Sequence, residues 1–111
     1  MYARVARFEG LEPSRIDEQI AEMKRQIDES RASGDLPDGA PEQVRTLMET
    51  VKRLLQLVDR ESGTALGLTF CATEEDMRRA DAALNEMSPG EGGGRRASVE
   101  IYEVALDETF A

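Results

Sequence analysis

The stretch VKRLLQLVDRESGTALGLTFC (residues 51–71) decides the fold, because it holds two apolar runs joined by a short polar turn. In the second run large and small side chains alternate, so that Leu66, Leu68 and Phe70 share one face of a predicted strand. A polar turn that ends in Gly63 separates the two runs. Two strands joined by a short glycine-containing turn form a β-hairpin.

The region before this turn, residues 41–58, allows two interpretations. Its apolar residues fit one stripe of a continuous helix: Val44, Leu47, Met48, Val51, Leu54, Leu55 and Val58. Its last part is also dense in leucine and valine, which is typical of a short buried strand. The hairpin decides between the two interpretations, because the strand after the turn requires a partner strand before it. We therefore predict a short helix at about 41–49 and a strand at about 51–59, which a continuous helix over 41–58 would contradict.

The N-terminal part predicts a strand followed by a helix. Residues 2–9 alternate loosely and read as a first strand. Ser14 lies three residues before Asp17, the spacing of a capping box with Asp in place of Glu. We expect a helix over about 14–31, followed by a surface loop over 33–41 that is rich in turn residues. The helical stripe consists of Ile16, Ile20, Met23 and Ile27.

The C-terminal part predicts a second helix and a last strand. Thr73 precedes three acidic residues and can cap the free N–H groups of a helix. We expect that helix to end at the glycine-rich stretch 89–94, and a strand to follow over 96–106. The inner stripe of the helix consists of Met77, Ala80, Leu84 and Met87.

The order of these elements predicts a single α+β domain over residues 1–111, with a ferredoxin-like βαββαβ arrangement. Two helices would cover one face of a four-stranded antiparallel sheet. The strand residues of the second face are also substantially apolar, so that face needs cover as well. We expect a second copy of the chain to supply it, sheet against sheet.

Four segments of the chain resemble the dimeric α/β-barrel superfamily, which includes antibiotic biosynthesis monooxygenase-like proteins, and in particular its small bacterial members. The segments are YARV (residues 2–5), LVDRESGTALGLT (57–69), TEEDM (73–77) and VEIYEV (99–104). The similarity covers most of the chain except 31–50, and its motifs are structural rather than catalytic. The resemblance implies a homodimer whose two sheets pack into a barrel. The superfamily includes haem-degrading oxygenases, cofactor-independent quinol oxygenases, isomerases and stress-response proteins.

Composition excludes several classes of function. The chain has 111 residues and a formal net charge of −9, which disfavours nucleic acid and anionic membranes as partners. It has no histidine, so it lacks the axial ligand of the haem-binding relatives and the commonest metal ligand and general base. We expect no metal and no cofactor. Neither a signal peptide nor a span of ~20 apolar residues is visible, which predicts a cytoplasmic protein.

Polar residues inside the predicted strands are the candidate ligand-binding residues. We single out Arg4, Gln56, Glu100 and Tyr102, with Arg holding an anionic group and Tyr102 donating a hydrogen bond. The alternative is that Arg4 or Arg7 forms a cross-strand ion pair with Glu100 or Glu103, because the first and last strands are predicted neighbours.

Two other sequence features favour structure over chemistry. Cys71, the only cysteine, ends a strand just before a helix, and we expect a core thiol there rather than a nucleophile. The run of glycines and arginines at 92–96 lacks the spacing of a phosphate-binding loop.

Two functions therefore stay open. The first is a non-catalytic homodimer that binds a small ligand or a protein partner. The alternative is a cofactor-independent monooxygenase or isomerase that acts on a small aromatic or polyketide-like substrate, and it rests on the resemblance alone. The residues identify neither a ligand nor a substrate.

Overall fold

The computed structural model describes residues 1–33, 42–87 and 94–111, and within them a four-stranded sheet and three helices. The strands are β1 (Tyr2–Glu9), β2 (Val51–Asp59), β3 (Thr64–Cys71) and β4 (Arg95–Glu103). The helices are α1 (Ile16–Ser33), which follows a 3-10 turn at Pro13–Arg15, α2 (Glu42–Thr50) and α3 (Glu74–Asn85).

The sheet has the order β2-β3-β1-β4, and all its neighbouring strands are antiparallel. This architecture is α+β and is compatible with a ferredoxin-like arrangement. The hairpin of β2 and β3 confirms the prediction made from residues 51–71. Because α2 ends at Thr50 and β2 begins at Val51, the continuous helix over 41–58 is excluded.

All three helices pack on one side of the sheet, which we call the helix face. Near the hairpin, one core cluster joins Leu11, Ile16 and Ala65, with Phe8, Ile20 and Val58 around it. At the other end, a second cluster joins Cys71, Met77 and Ala80, with Tyr2, Leu47 and Val51 around it. The two clusters anchor α1 through its first turns and α3 through its predicted inner stripe.

Of the two predicted helix caps, the one at Thr73 is formed and the one at Ser14 is not. The Thr73 hydroxyl accepts a hydrogen bond of 3.1 Å from the backbone N–H of Asp76, which confirms the predicted cap of α3. Ser14, in contrast, lies inside the 3-10 turn, whose cap position is Glu12. The predicted capping box at Ser14 is therefore not formed, because Pro13 begins the turn one residue earlier.

The last strand is shorter than predicted. It ends at Glu103 rather than at residue 106, although the N–H of Val104 still donates to the carbonyl of Met1 at 2.9 Å. The reason is that β1 begins at Tyr2 and offers no further partner. The predicted loop over 33–41 does not include Ser33, which is the last residue of α1. Residues 34–41 and 88–93, which hold the rest of that loop and most of the glycine-rich stretch, lie outside the described residues.

Gly63→Ala should destabilise the protein more than Gly10→Ala, because only the first creates a clash. Both glycines have positive φ, 69° and 72°, which costs other residues about 1 kcal/mol. A Cβ at Gly63 would also lie 2.8 Å from the carbonyl oxygen of Leu11, whereas at Gly10 it would meet nothing within 4 Å. In urea denaturation at one protein concentration, we expect losses of about 2–3 kcal/mol and about 1 kcal/mol, respectively. Equal losses would contradict the tight approach at Gly63.

Candidate functional site

The face of the sheet opposite the helices is the candidate functional site, and we call it the open face. The strand registers place twelve side chains on it, in three rows that run from β2 through β3 and β1 to β4. The rows are Arg53, Phe70, Ala3 and Tyr102; Leu55, Leu68, Val5 and Glu100; and Leu57, Leu66, Arg7 and Ser98.

Apart from Leu54, the bulkiest apolar side chains of the hairpin lie on this open face rather than beneath the helices. Leu55, Leu57, Leu66, Leu68 and Phe70 form one apolar area on β2 and β3. On the helix face the same strands carry smaller groups, such as Gly67 near the centre and Ala65 near the hairpin turn. This distribution is the reverse of what an isolated monomer would favour, since large apolar groups are stabilised most by burial.

The apolar area has no cover within the described part of the chain. Leu57 is 49% exposed and Tyr102 is 52% exposed, while Leu66, Leu68 and Phe70 are half-buried by their neighbours in the rows. No described helix packs on this side. An exposed apolar surface of this kind marks a site of interaction with another molecule.

Polar groups lie around the apolar area. On β4 the Tyr102 hydroxyl donates a hydrogen bond to the Glu100 carboxylate. At one corner the Arg53 guanidinium lies over the Phe70 ring, 5.9 Å from its centroid, as in a cation–π contact. At the other end of the open face, near the hairpin turn, Arg7 borders an open depression of about 210 Å³, together with Leu57 and Leu66. The open face thus combines an apolar centre with one acidic and two basic groups.

Arg4 does not lie on this face. Its side chain is 3% exposed on the helix face, where Nε donates to Oδ1 of Asp81 and Nη2 donates to Oδ1 of Asn85, both at 2.8 Å. Across the sheet Arg4 lies opposite Ile101, while Glu100 lies opposite Val5. The alternative prediction, an ion pair of Arg4 with Glu100 or Glu103, is therefore wrong: the guanidinium joins β1 to α3.

Gln56 also lies on the helix face, so the four predicted ligand-binding residues do not gather in one place. Its side chain is close to Gly67, where an added Cβ would lie 3.3 Å from Gln56 Oε1. Only Glu100 and Tyr102 come together, on the open face. Arg7 shares that face but contacts Glu9, at 3.3 Å, rather than an acid of β4.

Sequence reasoning missed Asp81, although a signal was present. Asp81 lies four residues after Met77 and three before Leu84, which places a carboxylate in the inner stripe of α3. A carboxylate on a buried stripe needs a cationic or hydrogen-bonding partner. That requirement points to an arginine on the facing strand, and Arg4 is the residue that meets it.

Cys71 is a core thiol, as predicted. It is 0% exposed and packs against Met77 and Ala80. Burial raises the pKa of the thiol, and the nearby Asp76 carboxylate raises it further. The thiolate that a nucleophile needs is therefore disfavoured.

The arginines after the glycine-rich stretch serve the fold. Arg96 Nη2 donates to the carbonyl oxygens of Leu84 and Met87, at 2.9 and 2.5 Å, and so satisfies the C-terminal end of α3. Arg95 pairs with Glu9 across the edge of the sheet at 3.1 Å. Within residues 1–33, 42–87 and 94–111, no group of three or more acidic or cysteine side chains is arranged to hold a metal ion.

No family model matches the chain, and no curated protein matches it significantly. None of the described helices is both long and apolar enough to cross a membrane.

Arg4→Met should lower the free energy of unfolding by about 2–3 kcal/mol, because it leaves a partly buried carboxylate without its partner. The matched control is Arg60→Met, which breaks a pair with Asp17 of similar length, 2.6 Å, whose side chains are 56% and 80% exposed. Solvent screens that pair, so we expect little change. Urea denaturation of both variants measures the difference. A similarly small change for Arg4→Met would contradict its role in holding α3.

Proposed function

We propose that the protein is a homodimer whose two open faces pack against each other, and that the compartment between the sheets binds a small, largely apolar molecule. One observation carries the proposal: five large apolar residues of the hairpin lie on the face that no described helix covers, namely Leu55, Leu57, Leu66, Leu68 and Phe70. The resemblance to dimeric α/β barrels supports the same arrangement. We place the protein in the cytoplasm, where a lone thiol such as Cys71 stays reduced.

A second copy is a suitable cover for chemical reasons. A two-fold axis brings the same surface together twice, so each patch must complement itself. The open face meets this condition, because it carries the basic groups Arg7 and Arg53 together with the acidic group Glu100. Sheets that pack face to face lie ~10 Å apart, which leaves room for interdigitated side chains and a small ligand.

The ligand we infer is an apolar molecule with one polar group. Leu55, Leu68 and Val5 would form the wall of the compartment, and Tyr102 with Glu100 would supply its hydrogen-bonding end. This division between an apolar lining and a few polar groups is typical of small-molecule sites. Arg4 and Gln56, on the helix face, would act only indirectly, by positioning the sheet.

The contact between Tyr102 and Glu100 favours one alternative function, a cofactor-independent monooxygenase or isomerase. A carboxylate hydrogen-bonded to a phenol is an arrangement that can accept a proton from an acidic substrate carbon or hydroxyl. In such an enzyme Glu100 would be the base and Tyr102 would orient it. The substrate would be a small aromatic molecule that fits against the leucine-rich wall.

Native mass spectrometry of the gently purified protein tests the dimer, because the monomer mass is 12.3 kDa. We expect twice that mass for the wild type. Leu68→Asp, at the centre of the open face, should raise the dissociation constant at least ~100-fold, since it buries a charge between the sheets. The matched control is Ile101→Asp, because Ile101 is 44% exposed on the edge strand β4 but lies on the helix face. A monomeric wild type, or equal weakening by both substitutions, would overturn the proposal.

Tyr102→Phe tests the ligand site, because it removes the hydroxyl and keeps the ring. For a molecule retained in the native spectrum, we expect about ten-fold weaker binding, the effect of losing one hydrogen bond to a charged group. Oxidation of a hydroquinone with uptake of oxygen, lost in Tyr102→Phe, would instead establish the enzyme. Tyr2→Phe, on the helix face, is the control and should leave both properties unchanged. Unchanged ligand binding in Tyr102→Phe would show that the Tyr102 hydroxyl does not contact the ligand.

A further inference from the structure

The segment that follows β4, residues 104–111, leaves the sheet with two large apolar side chains almost fully in solvent. Phe110 is 94% exposed and Leu106 is 78% exposed, more than any other large apolar residue of the described chain. Exposure of this degree is unusual for phenylalanine and leucine, which belong to the most buried residue types. The segment therefore lacks a partner that its composition calls for.

The segment is not a strand in the structure, but apolar residues occupy three of its four even-numbered positions. In an extended chain Val104, Leu106 and Phe110 would share one side with Glu108, and Asp107 would lie on the other side. The segment contains neither glycine nor proline, so it has no strong signal for a turn back over its own sheet.

The opposite edge of the sheet offers a matching surface. Strand β2 is an edge strand, and its outer backbone groups have no partner strand in the described part of the chain. Two of its leucines, Leu54 and Leu57, are 42% and 49% exposed. It also carries exposed cations, Lys52 and Arg53, which complement the acids of the segment. An open edge with apolar side chains is a site for addition of a further strand.

We propose that the segment 104–111 of each copy lies along β2 of the second copy, and this inference rests on the proposed dimer. The lengths agree: eight extended residues span about 26 Å, and the nine residues of β2 span about 30 Å. Two-fold symmetry makes the contact twice and covers both β2 edges. Phe110 and Leu106 lose their exposure, and the acids at 107 and 108 lie beside the cations of β2.

Cross-linking between two chains of different mass tests the proposal. One chain carries Phe110→Cys, and the other, with an affinity tag, carries either Leu57→Cys or Arg53→Cys, near the two ends of the open side of β2. The mixed chains are treated with a short bis-maleimide linker and weighed under denaturing conditions. We expect a covalent heterodimer with one of the two positions on β2. The native Cys71 is 0% exposed and does not compete.

The control position is Met48→Cys on α2, which is 46% exposed but lies on the helix side of the molecule. Equal cross-linking to this position would overturn the inference. So would a link formed within one chain that carries both Phe110→Cys and Leu57→Cys, since the segment would then cover its own sheet.

A second variant gives an independent measurement. Leu106→Ser with Phe110→Ser should raise the dimer dissociation constant about ten-fold or more, because two exposed apolar side chains would lose their burial in the partner. If the wild type is a dimer that Leu68→Asp dissociates, while the double variant is unchanged and Phe110→Cys links to neither position of β2, this inference fails and the proposed dimer stands. A monomeric wild type overturns both.

Discussion

The register between β1 and β3 is the constraint on which the rest of the structure depends. Tyr2 lies opposite Cys71 and Phe8 lies opposite Ala65, which places both pairs on the helix face. Because side chains alternate along a strand, a shift of one residue would move Arg4 to the open face and Val5 beneath the helices. The two hydrogen bonds from Arg4 to α3 therefore hold the register as well as the helix.

This register separates small residues from large ones. Ala6 and Gly67 lie near the centre of the helix face and Ala65 lies near the hairpin turn, while α3 presents Ala80 and Ala83 to the sheet. Small groups on both sides allow a helix to approach closely, and a core built this way has little room for leucines. Apart from Leu54, the larger side chains of the hairpin are then left on the open face. The need for an external partner thus follows from the way the helix layer is packed.

Local patterns explain why much of the fold could be predicted and why parts of the site could not. The hairpin, the cap at Thr73 and the meeting of Glu100 with Tyr102 depend on spacings of a few residues, which the sequence displays directly. The position of Arg4 depends instead on which face of β1 the helices cover. Both faces of β1 carry apolar residues, so the alternation of side chains along the strand does not indicate which face the helices cover. The end of β4 likewise depends on where its partner strand β1 begins, so the residues of β4 alone do not show it.

The net charge of −9 sets a further condition on any self-association, because two copies repel each other. The open face is an exception to this acidity. Its three rows contain two arginines and one glutamate, so its formal charge is +2 − 1 = +1. The acids are concentrated elsewhere, for example in the first turn of α3. Beyond about 10 Å, salt at 0.1 M screens the remaining repulsion, so the short-range contacts of the open face determine whether two copies associate.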